Sequence, residues 1–134
     1  MKIAIGTDDK KIIRSSHFGD SRYYLVLEVW NAAVAEREWR VNPDATQSKM
    51  DGPPGESQRI ITLLGDCSIF LGRSFKEKCL QEISSSGIDC LLTEFEDINQ
   101  AVSFYLDGQD EGFQYYDKKR NAFIPCLQRS FSKV

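Results

Sequence analysis

Histidine occurs once in this chain of 134 residues, at position 17. No metal-protease helix with paired histidines can therefore be built, and neither a nucleophile elbow nor a Walker-type phosphate loop is present. No enzyme activity is expected. The four cysteines, Cys67, Cys79, Cys90 and Cys126, stand ten or more residues apart. That spacing lacks the paired pattern of zinc or redox sites and predicts four free, reduced thiols. Basic residues are also short: Lys+Arg number 17 against Asp+Glu 20, a net charge of -3. No positive field offsets a phosphate backbone, so nucleic acid is excluded as a general partner. No apolar run approaches the roughly 20 residues that span a bilayer, and the first residues already read as a strand. The chain is expected to be cytoplasmic, with no membrane partner. Its length suits one domain that buries about two thirds of the surface its unfolded form exposes.

The apolar pattern is in strand register first and helical register later. Lys2 to Gly6 reads as a short buried strand. In Tyr23 to Trp30, Tyr23, Leu25, Leu27 and Val29 share one face. Asn31-Ala32 suits a tight hairpin turn, and the return strand puts Ala33, Ala35, Trp39 and Val41 opposite Glu36, Glu38 and Arg40. Half-buried antiparallel sheet is expected here. Asn42 to Glu56, rich in Pro, Gly, Asp and Ser, reads as a mobile loop. Ser57 is expected to cap a helix carrying Ile60, Ile61 and Leu64 and ending at Gly65.

Cys67 to Leu71 reads as a strand, followed by a helix with Phe75, Cys79, Leu80 and Ile83 inward and a capping box from Ser74 to Glu77. Gly87 ends it, Ile88 to Leu92 is another strand, and Ile98, Ala101, Val102 and Tyr105 mark a third helix stopped at Gly108. Three strands followed by alternating helices and strands predict an α/β fold, a mixed five-stranded sheet with helices on both faces and a parallel crossover.

The polar loop between the first two strands holds Ser16-His17-Phe18-Gly19-Asp20. Together with Met1 to Asp8, Arg22 to Val29, Asn42-Pro43, Leu64 to Gly72 and Ala101 to Gly108, in that order, it resembles the dinitrogenase iron-molybdenum cofactor biosynthesis family. Roughly the first hundred residues carry the likeness. The resemblance implies a ribonuclease H-like sheet of order 3-2-1-4-5 over residues 1–108. It also implies a small accessory protein handling an iron-sulfur-type or iron-molybdenum cluster, with a cluster donor or acceptor protein as partner. By that resemblance His17 is the candidate metal ligand.

The first and fourth strands of such a sheet send their connections in opposite directions and open a crevice at their carboxyl ends. Thr7, Asp8, His17, Phe18, Gly19, Arg73 and Ser74 are expected around it, with Arg73 beside a helix N-terminus that suits an anion. Two features depart from the family pattern. Gly72-Arg73-Ser74-Phe75 replaces a glycine-rich turn, and Asp44 to Glu56 has neither histidine nor cysteine. The residues therefore leave two readings of the chain: a cluster carrier, or an interaction or regulatory module that takes a small anion or a partner protein without bound metal. They leave two readings of His17 as well, cluster ligand or a hydrogen bond inside its own loop. Asp8, Asp9 and Asp20 raise a third idea, a two-cation nuclease, but that chemistry wants a carboxylate within the first strand, where Lys2-Ile3-Ala4-Ile5 stands. They read as solvated loop acids.

Residues 109–134 extend beyond the match and carry Phe113, Tyr115, Tyr116, Phe123, Ile124 and Phe131. Such a composition does not suit a disordered tail. Glu111 to Tyr116 and Ala122 to Leu127 are expected to pair as a hairpin, packed either on its own domain or across a homodimer contact, with Pro125 restricting the second strand to an edge.

Overall fold

Residues 1–43 and 55–126 are described by a computed structural model of the chain. Most of the expected Asn42-to-Glu56 loop, and Leu127 at the end of the expected hairpin, lie outside these residues. The element order is β1 (Lys2–Thr7), a single 3-10 turn (Phe18–Asp20), β2 (Tyr23–Trp30), β3 (Ala33–Val41), α1 (Glu56–Leu64), β4 (Ile69–Gly72), α2 (Glu77–Ser85), β5 (Asp89–Thr93), α3 (Ile98–Leu106), β6 (Phe113–Asp117) and β7 (Ala122–Pro125). All seven strands form one mixed sheet of order β3-β2-β1-β4-β5-β6-β7. The five-stranded expectation is thus corrected. The order 3-2-1-4-5 is present, but β6 continues it by pairing antiparallel with β5, Thr93 opposite Phe113, and β7 pairs with β6. β1 runs parallel to β4, and β4 parallel to β5.

The sheet is covered on both faces, which is why its central strands read as unbroken apolar runs. On one face Ala4, Tyr24, Val26, Phe70 and Cys90 pack beneath Ile60 and Leu64 of α1 and Cys79, Leu80 and Ile83 of α2. On the other, Ile5, Leu25, Leu27, Leu71 and Leu91 lie beneath Ile98 and Ala101 of α3. Each fully buried side chain of this size contributes about 1.5–3 kcal/mol relative to exposure.

β2 is therefore buried on both sides, and the half-buried expectation holds for neither strand of the hairpin. The Asn31-Ala32 turn does form, with φ of 53 and 59, the doubly left-handed geometry that matches strand twist. A bulge at Glu28/Val29 then shifts the register, so Val34 lies opposite Val29 while Trp39 lies opposite Leu25. Trp39 and Val41 are 41% and 65% exposed rather than inward. The ammonium of Lys10 covers the rings of Tyr23 and Trp39 at 4.7 and 5.3 Å.

Two helix starts differ from expectation. α1 begins at Glu56 after Gly55, and Ser57 lies buried in its first turn, donating to the Glu82 carboxylate. α2 begins after Lys76 with no side-chain cap, because Ser74 is turned toward His17 and the chain stays extended through Lys76. α3 is capped by Asp97, whose carboxylate accepts from the Gln100 N–H at 2.8 Å. Gly87 and Gly108 follow α2 and α3 with φ of 87 and 78.

Candidate functional site: the His17 groove

The loop after β1 folds across the carboxyl ends of β1 and β4 and fills the crevice there. Thr7, wholly buried, donates from Oγ1 to the Ile12 carbonyl at 2.6 Å and accepts from the Lys10 N–H at 3.0 Å. Asp9 accepts from the N–H groups of Lys11 and Ile12 at 2.8 and 2.9 Å, which closes the turn. Farther along, the Phe18 N–H donates to the Ser74 carbonyl at 2.8 Å and ties the loop to the end of β4.

The Phe18 ring, 2% exposed, drops between the strand ends. It packs against Tyr24, Phe70 and Phe75 with centroids 5.0, 5.0 and 5.2 Å away. Glycine at both strand ends makes the room. A Cβ on Gly6 or Gly72 would stand 3.2 or 3.3 Å from Phe18 Cδ2, tighter than a well-packed interior tolerates. The Phe18 carbonyl accepts from Ser21 Oγ and from Tyr24 Oη, each at 2.8 Å. Burial pushes the Tyr24 phenol far above its ordinary range.

With Phe18 anchored inward, its neighbour His17 stays at the surface, half-buried, its Nδ1 3.3 Å from Ser74 Oγ. The imidazole borders a groove of about 670 Å³ whose other walls are Lys76, Glu77, Lys78, Gln81 and Asn121. Lys76 bonds to Glu56 at 2.6 Å and approaches Asp20 at 3.6 Å. This pairing holds the Glu56 carboxyl below its ordinary range against the opposing effect of burial. Lys78 is exposed.

The expected site residues thus separate. His17 and Ser74 come together, whereas Thr7 and Phe18 are structural in their contacts. Asp8 pairs with Arg14 at 2.5 Å and accepts from the Arg22 N–H at 3.0 Å. Arg73 lies 3.7 Å from Glu96 and borders another groove with Thr93 at the end of β5 and Phe113 at the start of β6. Gly19 faces α1, where a Cβ would meet Ile60 Cδ1 at 2.6 Å. It lines a separate cavity of about 370 Å³ with Asn42, Arg59 and Leu63. Lys78, Gln81 and Asn121 were not among the expected residues. The two former lie on the exposed face of a helix, and Asn121 stands 104 residues after His17 in sequence.

A small α/β domain with one surface imidazole over a polar groove is the class that fold and site define. The family model described as dinitrogenase iron-molybdenum cofactor matches residues 1–108, and the chain belongs to that family. The fold is similar to that of PH0822, with a TM-score of 0.66 at 20% identity, covering 81% of this chain and 93% of that one. It is also similar to MJ0327 from Methanocaldococcus jannaschii, with a TM-score of 0.61 at 20% identity, covering 81% and 90%. The apo form of the orange protein from Desulfovibrio gigas gives a TM-score of 0.61 at 22% identity, covering 81% and 88%. No curated protein matches the sequence.

The donor set bears on what the groove could hold. Iron-sulfur clusters favour thiolates, yet all four cysteines are buried, and none is in a disulfide. Burial pushes Cys67 up to about 11, and Cys79 and Cys90 up to about 12. The Cys79 thiol instead donates to Glu56 at 3.3 Å. Among the described residues no group of three or more His, Cys, Asp and Glu side chains could hold a metal ion. A cluster enclosed by protein ligands does not fit this site.

Proposed function

We propose that this chain is a small, non-catalytic accessory protein that takes an iron-sulfur-type or iron-molybdenum cofactor as cargo at the His17 groove and passes it between a donor and an acceptor protein. The observation that carries the reading is the placement of His17. Ser74 Oγ stands 3.3 Å from Nδ1 and Phe18 anchors the backbone; with Nδ1–H donating to that hydroxyl, Nε2 offers its lone pair to a ligand. Second-contact hydrogen bonding of this kind orients a ring for binding. Lys78 and the amides of the groove suit an anionic cargo, and the order of the first five strands supports the ribonuclease H-like sheet the family implies. Among the described residues no helix is long and apolar enough to cross a membrane.

Burial of every cysteine favours one second reading, a module that binds an anion or a partner protein without metal. Anaerobic incubation with a preformed iron-sulfur cluster, followed by desalting, iron analysis and an absorption spectrum, separates the two. The native chain is expected to retain iron and His17→Ala to lose it, with unfolding stability within about 0.5 kcal/mol of the native chain because the side chain is at the surface. A native chain that retains no iron supports the second reading.

A further inference from the structure

We propose that Asn121 is a ligand-binding residue of the His17 groove, that the groove takes a small multivalent anion, and that the β6–β7 hairpin is thereby part of the site. The inference rests on the reading of His17 given above. Asn121 lies beyond residues 1–108 that the family model matches, yet it borders the same groove as His17, Lys76 and Lys78. Its orientation is held. Tyr116 Oη donates to Asn121 Oδ1 at 2.6 Å, which occupies the acceptor end of the amide and leaves the NH2 end as its donor. The residue has φ of 52, a left-handed conformation that asparagine tolerates better than most side chains.

A run of rings joins this turn to the histidine loop. Tyr116 meets Phe123 at 5.6 Å, Phe123 meets Phe75 at 6.2 Å, and Phe75 meets Phe18, the neighbour of His17, at 5.2 Å. The two walls of the groove are therefore set by packed aromatic side chains rather than by the turn alone. Lys76 is already engaged by two carboxylates, so Lys78 is the cation facing an incoming ligand, opposed by Glu77. One cation and amide donors from two separate elements suit an anion with several acceptor atoms, which can meet them at the same time.

The single histidine provides the readout, because the chain has one imidazole signal in proton NMR. Inorganic phosphate is titrated at low ionic strength into the native chain, Asn121→Gly, Asn121→Asp and Tyr116→Phe. The native His17 signal is expected to shift saturably. Asn121→Gly suits the positive φ and removes the amide, and is expected to bind about tenfold more weakly, the loss of one charge-assisted hydrogen bond. Asn121→Asp keeps the acceptor for Tyr116 while replacing the donor with a negative charge, and is expected to show no saturable shift. Tyr116→Phe keeps the amide but frees it, and an intermediate loss is expected. Unfolding midpoints show which variants are folded; should either Asn121 variant fail to fold, Tyr116→Phe decides. Native affinity in the folded variants overturns the proposal and leaves the His17 reading standing on its own iron-retention test. A native His17 signal that phosphate does not move overturns the anion assignment.

Discussion

Phe18 and His17 are adjacent and do opposite things. The ring of Phe18 occupies the cleft between the ends of β1 and β4, the place where an open α/β sheet ordinarily receives its ligand. His17 is displaced outward by that plug and becomes the surface group. Phe18→Ala is expected to cost about 3–5 kcal/mol, as a buried aromatic truncation does, measured as a lower urea midpoint at unchanged slope. A cost near zero would mean that the ring does not fill the cleft. The thiols give a second expectation at this scale. Burial raises the Cys79 and Cys90 thiols to about 12, so at neutral pH they are protonated. The folded chain should react with a thiol reagent far more slowly than the urea-unfolded chain, and four equivalents should be consumed on unfolding. Rapid labelling of the native protein would contradict this burial.

At the scale of elements, the joint between β3, β1 and the α1–β4 turn rests on charge. Arg40 of β3 holds both oxygens of Asp66 at 2.7 Å, reaches the Leu63 carbonyl at 2.9 Å, and is joined by Lys2 of β1 at 3.1 Å from Asp66. The hydrogen bonds from Arg40 hold the Asp66 carboxyl well below the usual carboxylate range. A folded-state pKa lowered in this way contributes stability that is complete above the unfolded value of about 3.9. That contribution is lost as the pH falls toward the folded value. Asp66 is 45% exposed, and solvent screening limits the effect to about 1 kcal/mol. Asp66→Asn should therefore lower the urea midpoint at pH 7, with the difference from the native chain shrinking below about pH 4. A difference that does not change with pH would remove the charge from the account.

Across the whole molecule, the sheet does not stop where the family match stops. β6 covers the free edge of β5, and Phe113, Tyr116 and Ile124 are 3%, 8% and 6% exposed. Deleting residues after Gly108 would uncover Phe75 and Phe95 and reopen that edge, so the truncated chain is expected to lose cooperative unfolding or to melt at a much lower urea concentration. Sedimentation of the full chain tests whether the hairpin also serves a homodimer. A truncated chain with the native midpoint and native oligomeric state would make the segment a dispensable tail.

Much of this architecture was legible in local pattern. Asn31, Gly87 and Gly108 mark their turns because asparagine and glycine accept positive φ, and the apolar spacing of Ile98 and Ala101 marks the inner face of α3. The resemblance around Ser16 to Asp20 pointed to the loop on which the proposed site is built. Other features depended on groups distant in sequence. Trp39 stands opposite the buried Leu25 yet is 41% exposed, because whether the outermost strand is covered depends on other elements and not on its own pattern. Ser74 reads as a helix cap until His17, fifty-seven residues earlier, claims its hydroxyl. Periodicity and turn chemistry thus determined the elements and their order by themselves. Only the tertiary structure decided that Phe18 closes the sheet's natural crevice, and that Lys78, Gln81 and Asn121 join His17 in one groove, because these depend on which surfaces meet after the strands have paired.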